Sequence, residues 1–250
     1  MIQPEPTRRR PLLVTINSLG RQSASVIACA AAVGFRVRGQ LRNRENNPVL
    51  FDELASLPNV ELIEGNLTDH SVIAELFHGA DIAFINTTSW GDEVAIGKSL
   101  ADAAKKEKIK HFIFSSATDH SQHPPPGRLP GLPYWRTKYE VEKYIRQIQL
   151  PATFVYLGCY FENFSAWDIP LWGIIWKENQ YGVEELTWKA PFHEHEPLPF
   201  LDVDHDLGPA VVQIMKDGPK KWSGQRYVSL FFPRSARNPP HNHPYFLPPD

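Results

Sequence analysis

Tyr134 and Lys138 stand four residues apart in Tyr134-Trp135-Arg136-Thr137-Lys138, and Ser116 closes an apolar run upstream, Phe112-Ile113-Phe114-Ser115-Ser116. A spacing of four puts a tyrosine and a lysine on one face of a helix. A lysine ammonium so placed can hold a ribose hydroxyl and draw the phenol below its ordinary pKa of about 10, while a serine hydroxyl orients a carbonyl. Ser116, Tyr134 and Lys138 are therefore candidate catalytic residues of an NAD(P)-dependent reductase acting on a carbonyl or quinone. The same spacing occurs in helices that catalyse nothing. In that competing reading Tyr134 merely closes the start of its helix against Trp135 and the proline-rich loop before it.

A second chemistry is anion binding. The apolar run Leu12 to Ile16 is followed by the polar loop Asn17-Ser18-Leu19-Gly20-Arg21-Gln22, then by small residues from Ser25 to Val33 and by Gly34. This reads as a buried strand, a tight turn and a helix closed by glycine, with a second strand over 35–42. Such a turn offers free backbone N–H groups and the positive end of a helix dipole to a pyrophosphate. The spacing GxxGxxG survives only at its second position, Gly20. Asn17 stands first and Ser23 third. Asparagine tolerates the left-handed backbone that a turn requires, Gly20 lets the chain approach a phosphate, and Ser23 is small enough for close packing. One glycine in a polar loop describes an ordinary strand–helix turn equally well, so the rest of the chain must decide.

Stepping along the chain, apolar strands recur at 60–64, 81–85, 111–114 and 152–156. Between them lie helical patterns through Val49 and Leu54, through Val72, Leu76 and Phe77, through Val94, Ile96, Leu100 and Ala104, and from Tyr134 to Gln149. Regular alternation predicts a parallel sheet covered on both faces, with ligands at the carboxyl ends of its strands. Polar residues stand at those ends: Asn17, Arg42, Asn66, Asn86, Thr87 and Ser116. Residues 161–232 are sparser, with a strand at 186–188, a helix through Leu207, Val211, Val212 and Met215, and a last strand at 226–230. The expected architecture is α/β: a doubly wound, parallel-sheet, Rossmann-type domain over 11–160 that binds NAD or NADP, with a small, incomplete C-terminal lobe over 161–232. A leader at 1–10 is expected to be disordered. The tail 233–250, with six prolines, is expected to build neither helix nor sheet ladder.

The 250 residues suit one large domain, and 42% hydrophobic residues allow a substantial core. A net charge of −2 gives no general field for nucleic acid. No apolar run reaches the length of a membrane span. Two cysteines, Cys29 and Cys159, make no disulfide framework and fit a reducing intracellular compartment. His193-Glu194-His195-Glu196 and His241-Asn242-His243 lack cysteines or a third ligand at zinc spacing and read as solvated loop histidines, so no metal is expected. Trp167, Trp172 and Trp176 read as packing for a small lobe over the crevice.

Many short segments, taken in order, resemble the NmrA-like family of atypical short-chain dehydrogenases. They include the 17–22 loop, Ala30-Ala31-Ala32-Val33-Gly34, Ala83-Phe84-Ile85-Asn86-Thr87-Thr88-Ser89, Gly91-Asp92-Glu93, Thr153-Phe154-Val155-Tyr156, Asp206-Leu207-Gly208-Pro209-Ala210 and Lys216-Asp217-Gly218-Pro219. The resemblance covers roughly 10–232. The family continues into a longer C-terminal domain, which implies that this chain is truncated or misassembled after Phe232. It implies a dinucleotide-binding transcriptional regulator that senses redox or nitrogen status. Such a regulator restrains a GATA-type zinc-finger activator by protein–protein contact, in cytoplasm and nucleus, without touching nucleic acid or membrane. The cofactor positions it implies are Asn17, Ser18, Leu19, Gly20, Arg21, Gln22, Arg42, Asn66, Leu67, Asn86, Thr87, Thr88, Lys138, Tyr160, Phe161, Glu162 and Asn163. Family members with arginine in the position of Arg42 tend to accept a 2′-phosphate. The regulators usually lack the tyrosine found here at 134, which keeps the reductase alternative open.

Overall fold

The computed structural model describes residues 9–89, 91–122, 132–164, 174–188, 200–229 and 245–247. Along the chain, β1 (Leu12–Thr15), α1 (Arg21–Ala32), β2 (Arg36–Leu41), α2 (Pro48–Ala55), β3 (Val60–Glu64) and α3 (His70–Phe77) form the first half. They are followed by β4 (Ile82–Ile85), α4 (Glu93–Lys106), β5 (His111–Ser116), α5 (Pro133–Gln147) and β6 (Ala152–Leu157). Then come the short strand β7 (Cys159–Tyr160), the hairpin β8 (Ile174–Glu178) and β9 (Glu184–Trp188), and β10 (Phe200–Leu201). The helices α6 (Gly208–Asp217) and α7 (Pro219–Trp222) and the strands β11 (Arg226–Ser229) and β12 (Tyr245–Leu247) complete the order.

Seven strands run parallel in the order β3-β2-β1-β4-β5-β6-β11. The winding reverses between β1 and β4. Successive side chains of a strand point to opposite faces, and the two cores follow from this. Leu12, Val14, Ala83, Ile85, Phe112 and Phe114 meet Ile73 and Phe77 of α3, Leu100 of α4, and Val141 and Ile145 of α5. Leu13, Ile82, Phe84, Ile113 and Val155 meet Val26 and Ile27 of α1, Leu54 of α2, and Val211 and Met215 of α6. Burial on both faces explains why β1, β4 and β5 read as unbroken apolar runs.

Three helices begin on polar side-chain caps. Asn47 caps α2, Asp69 caps α3 and Asp92 caps α4, each accepting a first-turn N–H. On the other side of the sheet, α6 lies directly on α1. A Cβ added at Gly208 would sit 2.5 Å from the Ser25 carbonyl oxygen and 2.6 Å from Cys29 Sγ.

Two expectations are corrected. The proline-rich tail does contribute a ladder: Tyr245, Phe246 and Leu247 pair antiparallel with Val228, Tyr227 and Arg226. Its prolines flank this three-residue run instead of interrupting it, and an edge strand tolerates them there. Trp176 does not pack a lobe over the crevice. It is 67% exposed on β8, which pairs only with β9 among the described residues. Trp167 and Trp172 lie outside the described residues.

Gly208→Ala is expected to cost about 1–3 kcal/mol, because the added methyl meets backbone that cannot swing aside. Urea denaturation should show a lower midpoint at unchanged slope. A midpoint equal to that of the parent chain would mean that α1 and α6 are not in this contact.

Candidate functional site

The reversal between β1 and β4 leaves a cleft of about 270 Å³ above the carboxyl edge of the sheet. Its walls come from the ends of β1, β2, β3 and β4. Of the residues expected from sequence, Asn17, Arg42, Asn66, Leu67, Asn86, Thr87 and Thr88 line it. Gln40, Thr68, Gly91, Ile16 and Ile96 line it too and were not foreseen.

The turn after β1 is built around Asn17, which adopts the left-handed backbone at φ 54°. The Gly20 N–H donates to the Asn17 carbonyl at 2.8 Å. A Cβ at Gly20 would come within 2.6 Å of Asn17 Nδ2, so this turn admits glycine alone without rearrangement. Gly20 then starts α1 in an extended conformation with no side-chain cap. The first i→i−4 bond runs from Ala24 N–H to Gly20, so the Arg21, Gln22 and Ser23 amides precede the helix ladder.

Ser23, expected only to be small, also uses its hydroxyl. It donates to the Ile16 carbonyl at 2.6 Å and lies 2.9 Å from Asn86 Oδ1, tying the ends of β1 and β4 together. Gln40 braces the other side. Its Oε1 accepts the Asn17 N–H at 3.2 Å and its Nε2 donates to the Gly65 carbonyl at 2.6 Å. The signal available in sequence was a glutamine between the small Gly39 and the apolar Leu41, at the buried end of β2.

The other residues of the loop turn elsewhere. Ser18 is fully buried, donating to the Gln40 carbonyl and packing on Gly39. Leu19 packs on the core. Arg21 pairs with Asp204 at 2.6 Å, and Gln22 Nε2 donates to the Tyr160 hydroxyl at 2.6 Å. The 160–163 run lies along this seam and is not part of the cleft lining. Phe161 stacks on Phe200 with ring centres 5.1 Å apart, and Glu162 Oε1 accepts the N–H groups of Val203 and Asp204. Asn163 is half-buried beside them.

Each of the three residues of the catalytic reading has partners of its own. The Ser116 hydroxyl donates at 2.6 Å to Glu142, a wholly buried carboxylate that also accepts from Tyr156 Oη at 2.7 Å and from the Arg146 and Arg226 guanidiniums at 3.0 and 3.1 Å. Burial and the adjoining Glu142 charge push the Tyr156 phenol up. Glu142 is two helical turns below Tyr134, about 12 Å along the axis. Tyr134 is 46% exposed and packs edge-on against Trp135. The Lys138 ammonium donates to the Thr87 carbonyl and lies 3.0 Å from Glu93 Oε1 and 3.3 Å from Thr87 Oγ1. Burial lowers its pKa, and the Glu93 charge acts in the opposite direction.

Among the described residues no group of three His, Cys, Asp or Glu side chains is placed to hold a metal. The histidine clusters at 193–195 and 241–243 lie outside them. No described helix is long and apolar enough to cross a membrane. Cys29 and Cys159 are free thiols whose pKa values burial raises.

Residues 10–231 match the model of the NmrA-like family. The nitrogen metabolite repression protein nmrA of Emericella nidulans is 46% identical over 227 residues, covering 90% of this chain and 62% of that protein. The chain therefore spans less than two thirds of that relative's length. A crystal structure of NmrA, a negative transcriptional regulator, in complex with NADP matches with a TM-score of 0.80 at 46% identity, over 90% of this chain and 67% of that one. The same protein in complex with NAD matches equally well. The seven-stranded doubly wound sheet, the turn at Asn17 and the extent of the match agree: the chain belongs to the NmrA-like family.

Proposed function

We propose that this chain binds NAD or NADP in the cleft between β1 and β4 and acts as a negative transcriptional regulator, by protein–protein contact, in nitrogen metabolite repression. The observation that carries the reading is the start of α1. It follows Asn17, which lines the cleft, and opens on Gly20 with no side-chain cap, whereas the other uncapped helices α5, α6 and α7 each carry a proline in their first turn. A diphosphate is the complement of such an end. A bound dinucleotide would supply that diphosphate, and Arg42, in the cleft lining at the end of β2, is the residue that would meet a 2′-phosphate. The solved relatives with NADP and with NAD support both cofactors.

The partner we infer, from the family resemblance, is a GATA-type zinc-finger activator, met in the cytoplasm and nucleus. The reductase alternative finds no support in the geometry. Ser116 is spent on Glu142, and Lys138 is spent on Thr87 and Glu93.

Calorimetric titration of NAD and NADP tests the cofactor reading. Gly20→Val should abolish binding of both, and unchanged heats in that variant would refute it. Arg42→Ala should shift the ratio of the two affinities toward NAD. A guanidinium bond to a phosphate is worth about 1.5–3 kcal/mol, so the shift should be about tenfold or more; a fixed ratio would mean that Arg42 serves another purpose.

Turnover should be absent when aldehydes, ketones and quinones are offered with NADH or NADPH. Steady oxidation that vanishes in Tyr134→Phe would install the reductase reading instead. A purified GATA-type zinc finger should bind the chain in the same calorimeter, and no heat at high micromolar concentration would remove that partner.

A further inference from the structure

Asn17 holds the left-handed backbone, φ 54°, that a residue with a Cβ enters only at a cost. The peptides on either side of it must therefore be held. The peptide after Asn17 is held by the Gly20 N–H on its carbonyl at 2.8 Å and by the Gln40 carbonyl, which accepts the Ser18 N–H at 2.8 Å. Ser18 sits there because Gly39 leaves room for its hydroxyl, which a Cβ at Gly39 would overlap. The peptide before Asn17 is held at the Ile16 carbonyl by the Ser23 hydroxyl and at the Asn17 N–H by Gln40 Oε1. One anchor leaves a peptide free to turn about it. Two on opposite sides fix its plane, and with both planes fixed φ of Asn17 is determined.

Gln40 is the second anchor, and its side chain is committed to that task. It is 1% exposed. Only its oxygen can accept the Asn17 N–H, and only its nitrogen can donate to the Gly65 carbonyl, so a flipped carboxamide would lose both bonds. Gly65 has a further tie, its own N–H on the Leu41 carbonyl at 2.9 Å. The β1–β2 ladder ends at Thr15 and Gly39, short of Asn17. Ser18 is fastened to the backbone of residue 40, whatever side chain stands there, whereas the Asn17 N–H is fastened to the carboxamide itself.

We propose that Gln40 is a positioning residue for the diphosphate of the cofactor. Its carboxamide keeps Asn17 left-handed and so sets the turn that leads into α1 before any ligand arrives. In a turn that retains one glycine of the fingerprint, β2 supplies the constraint from outside. The proposal rests on the dinucleotide-binding reading above.

Gln40→Met keeps the length of the side chain and removes both bonds. NAD and ADP, which share the diphosphate, are titrated calorimetrically into the parent chain, Gln40→Met, Asn17→Gly and the double variant, with thermal unfolding recorded for each. Glycine takes the left-handed backbone unaided, so positions 17 and 40 should couple. Gln40→Met should lower both affinities about tenfold when residue 17 is asparagine and less than about threefold when it is glycine, because the binding-competent turn is then populated without help. A glutamine with a merely structural role would cost the same factor in both backgrounds, and that result overturns the proposal. Unchanged affinities in folded Gln40→Met overturn it too. If Gln40→Met does not fold, hydrogen exchange at the Asn17 amide of the parent chain decides. Protection before ADP is added supports the proposal; protection that appears only with ADP means that the ligand sets the turn, and overturns it. A parent chain that binds neither NAD nor ADP refutes the cofactor reading itself, and this inference with it.

Discussion

The pairing of β1 with β4, continued past the end of the ladder by the Ser23 hydroxyl, is the junction on which the cleft depends. A doubly wound sheet must reverse between β1 and β4, and at that point the connections leave in opposite directions and leave a gap. The gap is useful only if its two lips keep a fixed separation. Ser23 reaches the Ile16 carbonyl at the end of β1 and Asn86 at the end of β4 from the first turn of α1. One buried side chain therefore relates the start of α1 to both lips. Its position, where the usual fingerprint has a third glycine, shows that the requirement there is small size plus, in this chain, a bond across the switch.

Helix α5 carries the polar counterpart of that arrangement. Lys138 and Glu142 are one turn apart on the face that meets the sheet, each engaged with buried partners of opposite charge or with hydroxyls. Buried charges of this kind contribute little net stability, yet removing one partner strands the other in a low-dielectric interior. Their effect is to fix the register of α5 against β4, β5 and β6.

Residues 204–208 are fastened to α1 by contacts of unequal weight. The Arg21–Asp204 pair is nearly half exposed at both ends and, as a surface ion pair, contributes at most about 1 kcal/mol. The close approach of Gly208 to Ser25, with Ser25 Oγ accepting the Gly208 N–H at 3.1 Å, is buried and sterically exacting. Packing therefore sets how α6 sits on α1, and the ion pair decorates the rim of that contact. The Gln22–Tyr160 bond lies between them, which places the 160–163 run along this seam and away from the cleft lining.

The sequence by itself determined the alternation of strands and helices, the parallel sheet and the polar strand ends, because burial on two faces writes itself as unbroken apolar runs and helices write a period of 3.6. Asn17 was legible as a left-handed turn residue for the same local reason, and it adopts that backbone. What depends on partners distant in sequence was decided only by the tertiary structure. Tyr134 and Lys138 match a catalytic spacing and Ser116 stands at a strand end, but sequence is silent on what stands opposite: Glu142 meets Ser116 and Glu93 meets Lys138. Gln40 and Ser23 look like a misplaced polar residue and a small one until β1, β2 and β4 come together around them. Trp176 and the 245–247 strand were misread because exposure and edge pairing depend on which element arrives alongside, not on local composition. Local backbone preference and hydrophobic period are properties of neighbouring residues and so can be read along the chain; the partner of a buried hydroxyl or charge is a property of the folded arrangement.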